Sequence, residues 1–308
     1  MTRADLDALA RRVSNWGRWG ADDERGTMNF VTPDVVRRAA ACVKRGEVFS
    51  LGLPFAADGP QIGQGGRVNP VHWMTATDGR LSADPDGPRY SDDVIVMPLQ
   101  CATQWDSLAH VHYGGQLYNG FSAGTITPAG AAKNGIDRIA AGIVTRGVLL
   151  DVARARGVER LAPGTVIGPA DLEAAERKQN VRVERGDALL VRTGHLAVFT
   201  QDGDRVGYMK QMPGLGVGSV EWLHAREIAA LACDTSAVEV IPYEHAGLPL
   251  PFHALCIRDM GLTLGEMFVL DALAADCAAD GAWTFLFSAP PLRVTGGVGS
   301  PLNPLAVK

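Results

Sequence analysis

Residues 100–113 carry a high density of side chains that could do chemistry. An acid, two imidazoles and several amides and hydroxyls are interleaved there with large apolar residues. A core strand would have to pair each buried polar group, whereas a surface loop would not normally include a tryptophan and a leucine. The pattern is therefore typical of a pocket wall. The candidate side chains are Gln100, Thr103, Gln104, Trp105, Asp106, His110 and His112.

Asp106 and His110 are the pair on which this chemistry depends. A carboxylate and an imidazole close together can bind a divalent metal ion or act as an acid–base pair. The spacing Asp-x-x-x-His is by itself equally compatible with a half-buried pair that only satisfies its own hydrogen bonds.

Three more candidates lie outside this stretch. His72 belongs to residues 54–93, whose many Gly, Pro, Asp and Gln residues predict a long functional loop. Its ring either lines the pocket or packs between its apolar neighbours. From the residues alone, Glu266 fits an acid at the N-terminus of a helix, and His253 is an isolated histidine.

The composition excludes several classes of protein. The chain has 308 residues, 46% hydrophobic and 20% charged, which is ordinary for a globular protein with a large core. A net charge of -5 without a basic patch argues against a nucleic-acid binder. No segment fits a signal peptide or a membrane span. The five cysteines form no Cys-x-x-Cys pair, so we expect reduced thiols and a cytoplasmic location.

The elements that must position these residues alternate between apolar strands and helices, which indicates an α/β fold. A strand is predicted at 94–99, directly before the polar stretch, and residues 1–45 are predicted to form a helical extension with helices at 4–13 and from Thr32 to about Arg45. Further strands are predicted at 147–152, 188–195 and 229–233, and further helices at 169–178 and 220–226.

Thr103, Asp106 and His110 stand in a frame that resembles the signature of the metal-dependent cyclase family, which includes bacterial kynurenine formamidase and isatin hydrolase. That signature reads His-x-Gly-Thr-His-x-Asp-x-Pro-x-His, and its second half matches at these three residues. Gln100 and Gln104 stand where the family has two metal-binding histidines. An alanine replaces the glycine, and a leucine replaces the proline.

Two later stretches also resemble the family. Residues 233–239 are similar to its strand-end sequence Thr-Asp-Thr-Pro-Ser-Val-Asp, in which Asp234 would have a supporting role. His253 and Glu266 match a family pattern of a His followed about a dozen residues later by a Glu. The resemblance implies a single cyclase-like domain over residues 1–308. Its expected fold is the swivelling β/β/α fold, a mixed sheet with helices packed around a central strand core.

The resemblance also implies a divalent metal ion, manganese or zinc, with magnesium as a further candidate. The implied ligands are Gln104, Asp106, His253 and Glu266, and the implied catalytic groups are His110 and Glu266. Because an amide oxygen is a neutral and harder ligand than an imidazole, the glutamines favour manganese or magnesium over zinc, or leave the position without metal.

The implied function is a hydrolase in which metal-activated water opens an amide, lactam or lactone bond. The substrate would be small and cyclic or aromatic, with a C–N bond of the cyclic amide or aryl formamide type, or a lactone. Two alternatives stay open: a metal-free acid–base enzyme of the same fold, and a non-catalytic small-molecule binder. The family forms dimers or tetramers, so a homo-oligomer is implied. The expected substrate contacts are Gln100, Trp105, His72 and His112.

Overall fold

A mixed sheet of nine strands organises the part of the chain that the structure describes. The structure is a computed structural model and describes residues 2–139, 142–245 and 249–308. The strands are β1 (Val48–Ser50), β2 (Val71–Arg80), β3 (Arg89–Val96), β4 (Gln104–Asp106), β5 (Ile126–Thr127), β6 (Gly130–Ala131), β7 (Val144–Asp151), β8 (Val166–Ile167), β9 (Ala188–Arg192), β10 (Gly214–Leu215), β11 (Ala230–Cys233), β12 (Thr263–Glu266), β13 (Thr284–Ser288), β14 (Gly299–Pro301) and β15 (Leu305–Val307).

The helices pack on both faces of this sheet. They are α1 (Arg3–Val13), α2 (Pro33–Ala40), α3 (Val152–Ala155), α4 (Pro169–Gln179), α5 (Ala197–Thr200), α6 (Arg205–Lys210), α7 (Val220–Arg226), α8 (Pro251–His253) and α9 (Asp271–Asp280). A π-helix, Ala254–Met260, continues directly from α8. In the described part of the chain, no helix has both the length and the apolar character that crossing a membrane requires.

The strand order in the main sheet is β1-β15-β13-β7-β9-β11-β12-β4-β14. The neighbours β7, β9, β11 and β12 run parallel, and the pairings on either side of them are antiparallel. The predicted α/β fold with a mixed sheet is therefore confirmed. The position of β4 matters most for function, because this strand carries the first half of the polar stretch and lies between β12 and β14.

The parallel strands are buried on both faces, as their continuous apolar sequences predict. In β9, Leu189 and Val191 belong to one apolar cluster, whereas Ala188 and Leu190 belong to the cluster on the opposite face. The same alternation runs through β7 and β11. Helices on both faces cover these clusters and leave the ends of the strands for polar residues.

The two helices predicted near the start of the chain are present, and a threonine caps each of them. The Thr2 hydroxyl accepts a hydrogen bond from the backbone of Asp5 at the start of α1. Thr32 caps α2 in the same way, and Pro33 occupies its first position. Helix α2 ends at Ala40, five residues before the predicted end.

One prediction for the first hundred residues is wrong. Residues 71–80 and 89–96 form the antiparallel hairpin β2–β3 rather than part of a long loop. Bulges in β2 accommodate the glycine and the other irregular positions of this stretch. The strand predicted at 94–99 is confirmed in part, since β3 ends at Val96, and it lies outside the main sheet.

Candidate active site

Strands β4 and β12 bring the main candidates together. They pair antiparallel, with Glu266 opposite Gln104. Because side chains alternate along a strand, Gln104 and Asp106 share one face with Glu266. Gln104 and Asp106 are fully buried, and Glu266 is 4% exposed. The predicted helix N-terminus at Glu266 is wrong, since this residue ends a strand and the next helix begins at Asp271.

The same alternation turns Trp105 to the other face, into the hydrophobic core. Its indole is fully buried, donates a hydrogen bond of 2.8 Å to the carbonyl of Ala289 and lies against Phe268. It covers Gly265 so closely that a β-carbon there would lie 2.3 Å from the ring. The prediction that Trp105 contacts a substrate is therefore wrong, because its side chain packs in the core on the opposite face of the strand.

Asp106, His253 and Glu266 form a buried cluster that could hold a metal ion. One ligand atom from each lies within 4.8 Å of the others. His253 Nε2 is 3.4 Å from Glu266 Oε1 and 4.0 Å from Asp106 Oδ2. Asp106 Oδ2 is buried without a hydrogen-bond partner. Two buried carboxylates with one unpartnered oxygen are costly unless a cation neutralises them, so these residues fit a divalent ion.

Gln104 completes the cluster. Its Nε2 donates to Glu266 Oε2 at 2.8 Å and to Asp106 Oδ1 at 3.3 Å, while its Oε1 is buried without a partner. The amide thus bridges the two carboxylates. Rotation of the amide would exchange the two atoms, so Gln104 can act either as the bridge or as a neutral oxygen ligand.

Glu239 fixes the orientation of His253. Its carboxylate accepts hydrogen bonds from both Nδ1 and the backbone N–H of His253, the latter at 3.0 Å. This leaves Nε2 facing Asp106 and Glu266. A carboxylate behind a histidine is the usual arrangement for a metal-binding imidazole, because it selects the tautomer and raises the basicity of the ring. Val238, the residue before Glu239, has a φ of +54°, which is strained for a β-branched side chain.

The buried acids and imidazoles shift each other's proton affinities. Burial, together with the nearby charge of Asp106, raises the pKa of Glu266 to about 7. Burial alone would lower the pKa of His253, but its hydrogen bonds to Glu239 and Glu266 outweigh burial and raise it to about 10. Burial lowers the pKa of His110, with Asp106 opposing the effect.

Thr103 holds the strand ends in place. Its hydroxyl donates to the carbonyl of Met267 at 2.6 Å and accepts from the backbone N–H of Leu53 at 2.8 Å. Met267 follows Glu266 directly and has a φ of +59°, in the left-handed region. The threonine of the signature therefore stabilises the turn that directly follows Glu266.

His110 lies at the mouth of this cluster. Its Nε2 is 3.8 Å from Asp106 Oδ1 and 3.5 Å from an Nη atom of Arg67. A cavity of about 290 Å³ opens beside it, lined among others by His253, Glu266 and Tyr243. The predicted catalytic residues His110 and Glu266 therefore both face one space large enough for a small ring.

The remaining predicted contacts lie outside the cavity in the described residues. His72 is on the exposed hairpin, where its Nε2 is 2.8 Å from an oxygen of Asp93. His112 is exposed on the loop that follows His110. Gln100 is buried against Gly299. Gln100, His72 and His112 are therefore not among the residues that line this cavity.

The sequence reasoning missed three residues. Glu239 was inside the family-like stretch 233–239, so its match to the family's final aspartate was a usable signal. Arg67 and Gln61 come from the glycine-rich loop before β2, where no local pattern marks them as cavity residues.

Comparisons with known proteins identify the family and the fold. The cyclase family model, described as "Putative cyclase", matches residues 49–240, more than half of the chain. A crystal structure described as a novel cyclase has 40% sequence identity and a TM-score of 0.90, covering 97% of this chain and 99% of the other. No curated protein shows a significant sequence match.

More distant structures share the fold. Isatin hydrolase A from Ralstonia solanacearum is 22% identical, with a TM-score of 0.64, covering 89% of this chain and 97% of the other. Isatin hydrolase A from Labrenzia aggregata, bound to benzyl benzoate, is 20% identical, with a TM-score of 0.62 and coverages of 87% and 94%. The family model that matches residues 49–240 and the 40% identity to the novel cyclase establish that the chain belongs to the cyclase family.

Proposed function

We propose that this protein is a metal-dependent hydrolase that opens an amide, lactam or lactone bond of a small molecule. The observation that carries the proposal is the convergence of Asp106, His253 and Glu266 below a cavity that also exposes His110. This donor set of two carboxylates and one imidazole, with Gln104 as a fourth candidate, suits manganese, zinc or magnesium.

A divalent ion held there would polarise the carbonyl group of a substrate and lower the pKa of a neighbouring water molecule. The protein's own residues account for the remaining steps. His110, neutral at pH 7 because burial lowers its pKa, takes the proton of the water that adds to the carbonyl carbon. His110 then returns that proton to the leaving nitrogen or oxygen as the bond breaks.

Metal analysis of protein purified without added metal tests the proposal. We expect about one divalent ion per chain in the wild type and a loss of that ion in Asp106→Ala. Asp202→Ala is a matched control, because Asp202 is exposed, pairs with Arg160 and does not line the cavity. Unchanged metal content in Asp106→Ala would defeat the assignment of the ligand. A panel of small amides, lactams and lactones then tests hydrolysis, which should require the metal.

A metal-free acid–base enzyme is the second candidate function. It is favoured by Gln104, which stands where the family has a metal-binding histidine and whose amide N–H group donates to both Asp106 and Glu266. Hydrolysis that survives exhaustive chelation would support this candidate over the first. Failure to hydrolyse any member of the panel, with ligand-induced thermal stabilisation, would instead support a non-catalytic binder.

A further inference from the structure

The cavity has a second wall that the proposed hydrolysis does not use. The acids and imidazoles form one side, and the loop before β2 forms the other with Gln61, Gln64 and Arg67. Since the first wall activates the reacting bond, the second is positioned to recognise the rest of the molecule.

Arg67 brings a positive charge to this wall without a carboxylate of its own. Within the described chain, no carboxylate oxygen lies within 4.0 Å of its guanidinium, and its polar contact is with His110 Nε2 at 3.5 Å. The two buried acids of the site, Asp106 and Glu266, accept hydrogen bonds from Gln104. The contrast is with Arg192, which also lines a cleft but contacts Asp271 at 2.7 Å and Asp151 at 3.1 Å.

Gln61 provides independent evidence for a ligand at this wall, because it has a buried acceptor atom without a hydrogen-bond partner. The residue is only 4% exposed, and its Nε2 is held by a hydrogen bond of 2.8 Å to the carbonyl of Cys101. That bond fixes the amide, and its Oε1 is left buried without a partner. A buried acceptor of this kind costs free energy unless a donor reaches it, so an N–H or O–H group of a bound molecule would satisfy it.

We propose that Arg67 binds a carboxylate group of the substrate, and that the preferred substrates are small anions in which this carboxylate stands beside the bond to be hydrolysed. A guanidinium presents two parallel N–H donors that match the two oxygens of a carboxylate, and such charge-assisted pairs are among the stronger polar contacts. The cavity of about 290 Å³ limits the class to molecules with about one ring. This inference rests on the proposed function in so far as the cavity is the substrate site.

Calorimetric binding of benzoate and benzamide tests the inference, because the two probes share shape and differ in charge. The wild type should bind benzoate more tightly than benzamide, in metal-free and in manganese-loaded protein. Arg67→Gln should weaken benzoate at least tenfold and leave benzamide unchanged, and Arg67→Lys should keep part of the affinity. Arg293→Gln is a matched control, since Arg293 is exposed and does not line the cavity.

Three results would overturn the inference: no binding of benzoate to the wild type, equal benzoate affinity in wild type and Arg67→Gln, or binding that depends on the metal and not on Arg67. Circular dichroism and unfolding curves establish that Arg67→Gln is folded. The metal-free measurements separate the two proposals. A protein without metal or hydrolysis can still show Arg67-dependent benzoate binding, and a working hydrolase can lack it.

Discussion

Glu266 should make the stability of the metal-free protein fall as the pH rises. Its carboxyl group is buried beside Asp106, which raises its pKa from 4.5 to about 7. A carboxyl group whose pKa is higher in the folded state stabilises the fold below its unfolded pKa, and that contribution disappears as the pH rises through the folded value. The loss is therefore expected mainly between pH 5 and pH 8.

The size of the effect follows from that change in pKa. At about 1.4 kcal/mol for each pH unit, Glu266 should contribute about 2 to 3 kcal/mol more to the free energy of unfolding at pH 5 than at pH 8. His253 acts in the same direction, since its contribution is lost as the pH rises from 6.5 toward about 10, and it therefore adds to the loss above pH 6.5. Glu266→Gln keeps the shape of the protonated acid and removes the titration.

Urea unfolding in the presence of a chelator, followed by tryptophan fluorescence, measures the effect at pH 5, 6, 7 and 8. As the pH rises from 5 to 8, the free energy of unfolding of the wild type should fall relative to that of Glu266→Gln. Added manganese should reverse the trend, because metal binding competes with protons for the same side chains. A difference that stays constant with pH would refute the placement of Glu266 beside Asp106.

Three more predictions follow from the site. Trp105→Ala should lower the free energy of unfolding by about 3 to 5 kcal/mol with unchanged metal content in the folded fraction, as measured by urea unfolding and metal analysis; a loss of metal without a loss of stability would contradict its place in the core. Glu239→Gln should weaken metal binding about 10- to 100-fold in a competition assay with a chromogenic chelator, and an unchanged affinity would remove its role behind His253. His110→Ala should keep the metal and the stability but slow hydrolysis about 10²- to 10⁴-fold; activity equal to that of the wild type would exclude it as the base.

The resemblance to the cyclase signature found the centre of the site because the signature is short in sequence. Thr103, Asp106 and His110 lie within eight residues, so a strand end and the turn after it are enough to bring them together. His253 and Glu266 were predicted as site residues because they follow one another in the same order as a His and a Glu of the family, and their spacing added little. Their contact depends on the turn after β12 and on the helix that begins at Pro251.

The wrong predictions of substrate contacts came from the assumption that sequence neighbours of polar or apolar residues share their surroundings in the fold. Trp105 lies between two site residues, yet strand alternation directs it into the core. His72 has an apolar neighbourhood in sequence, but it stands on an exposed hairpin beside Asp93. Periodicity could have predicted the first outcome had residues 104–106 been recognised as a strand.

The sequence by itself determined the α/β class and the start of α2, because apolar periodicity and helix capping are written in neighbouring residues. The grouping of Asp106, His253 and Glu266 came from the resemblance to the cyclase family. Only the tertiary structure decided that Gln104 bridges two carboxylates, that Glu239 supports His253 and that Arg67 faces the cavity. Gln104 and Glu266 are 162 positions apart, Glu239 and His253 are 14 apart, and Arg67 lies on a loop without a pattern of its own. Their geometry depends on strand register and loop path, which no local pattern encodes.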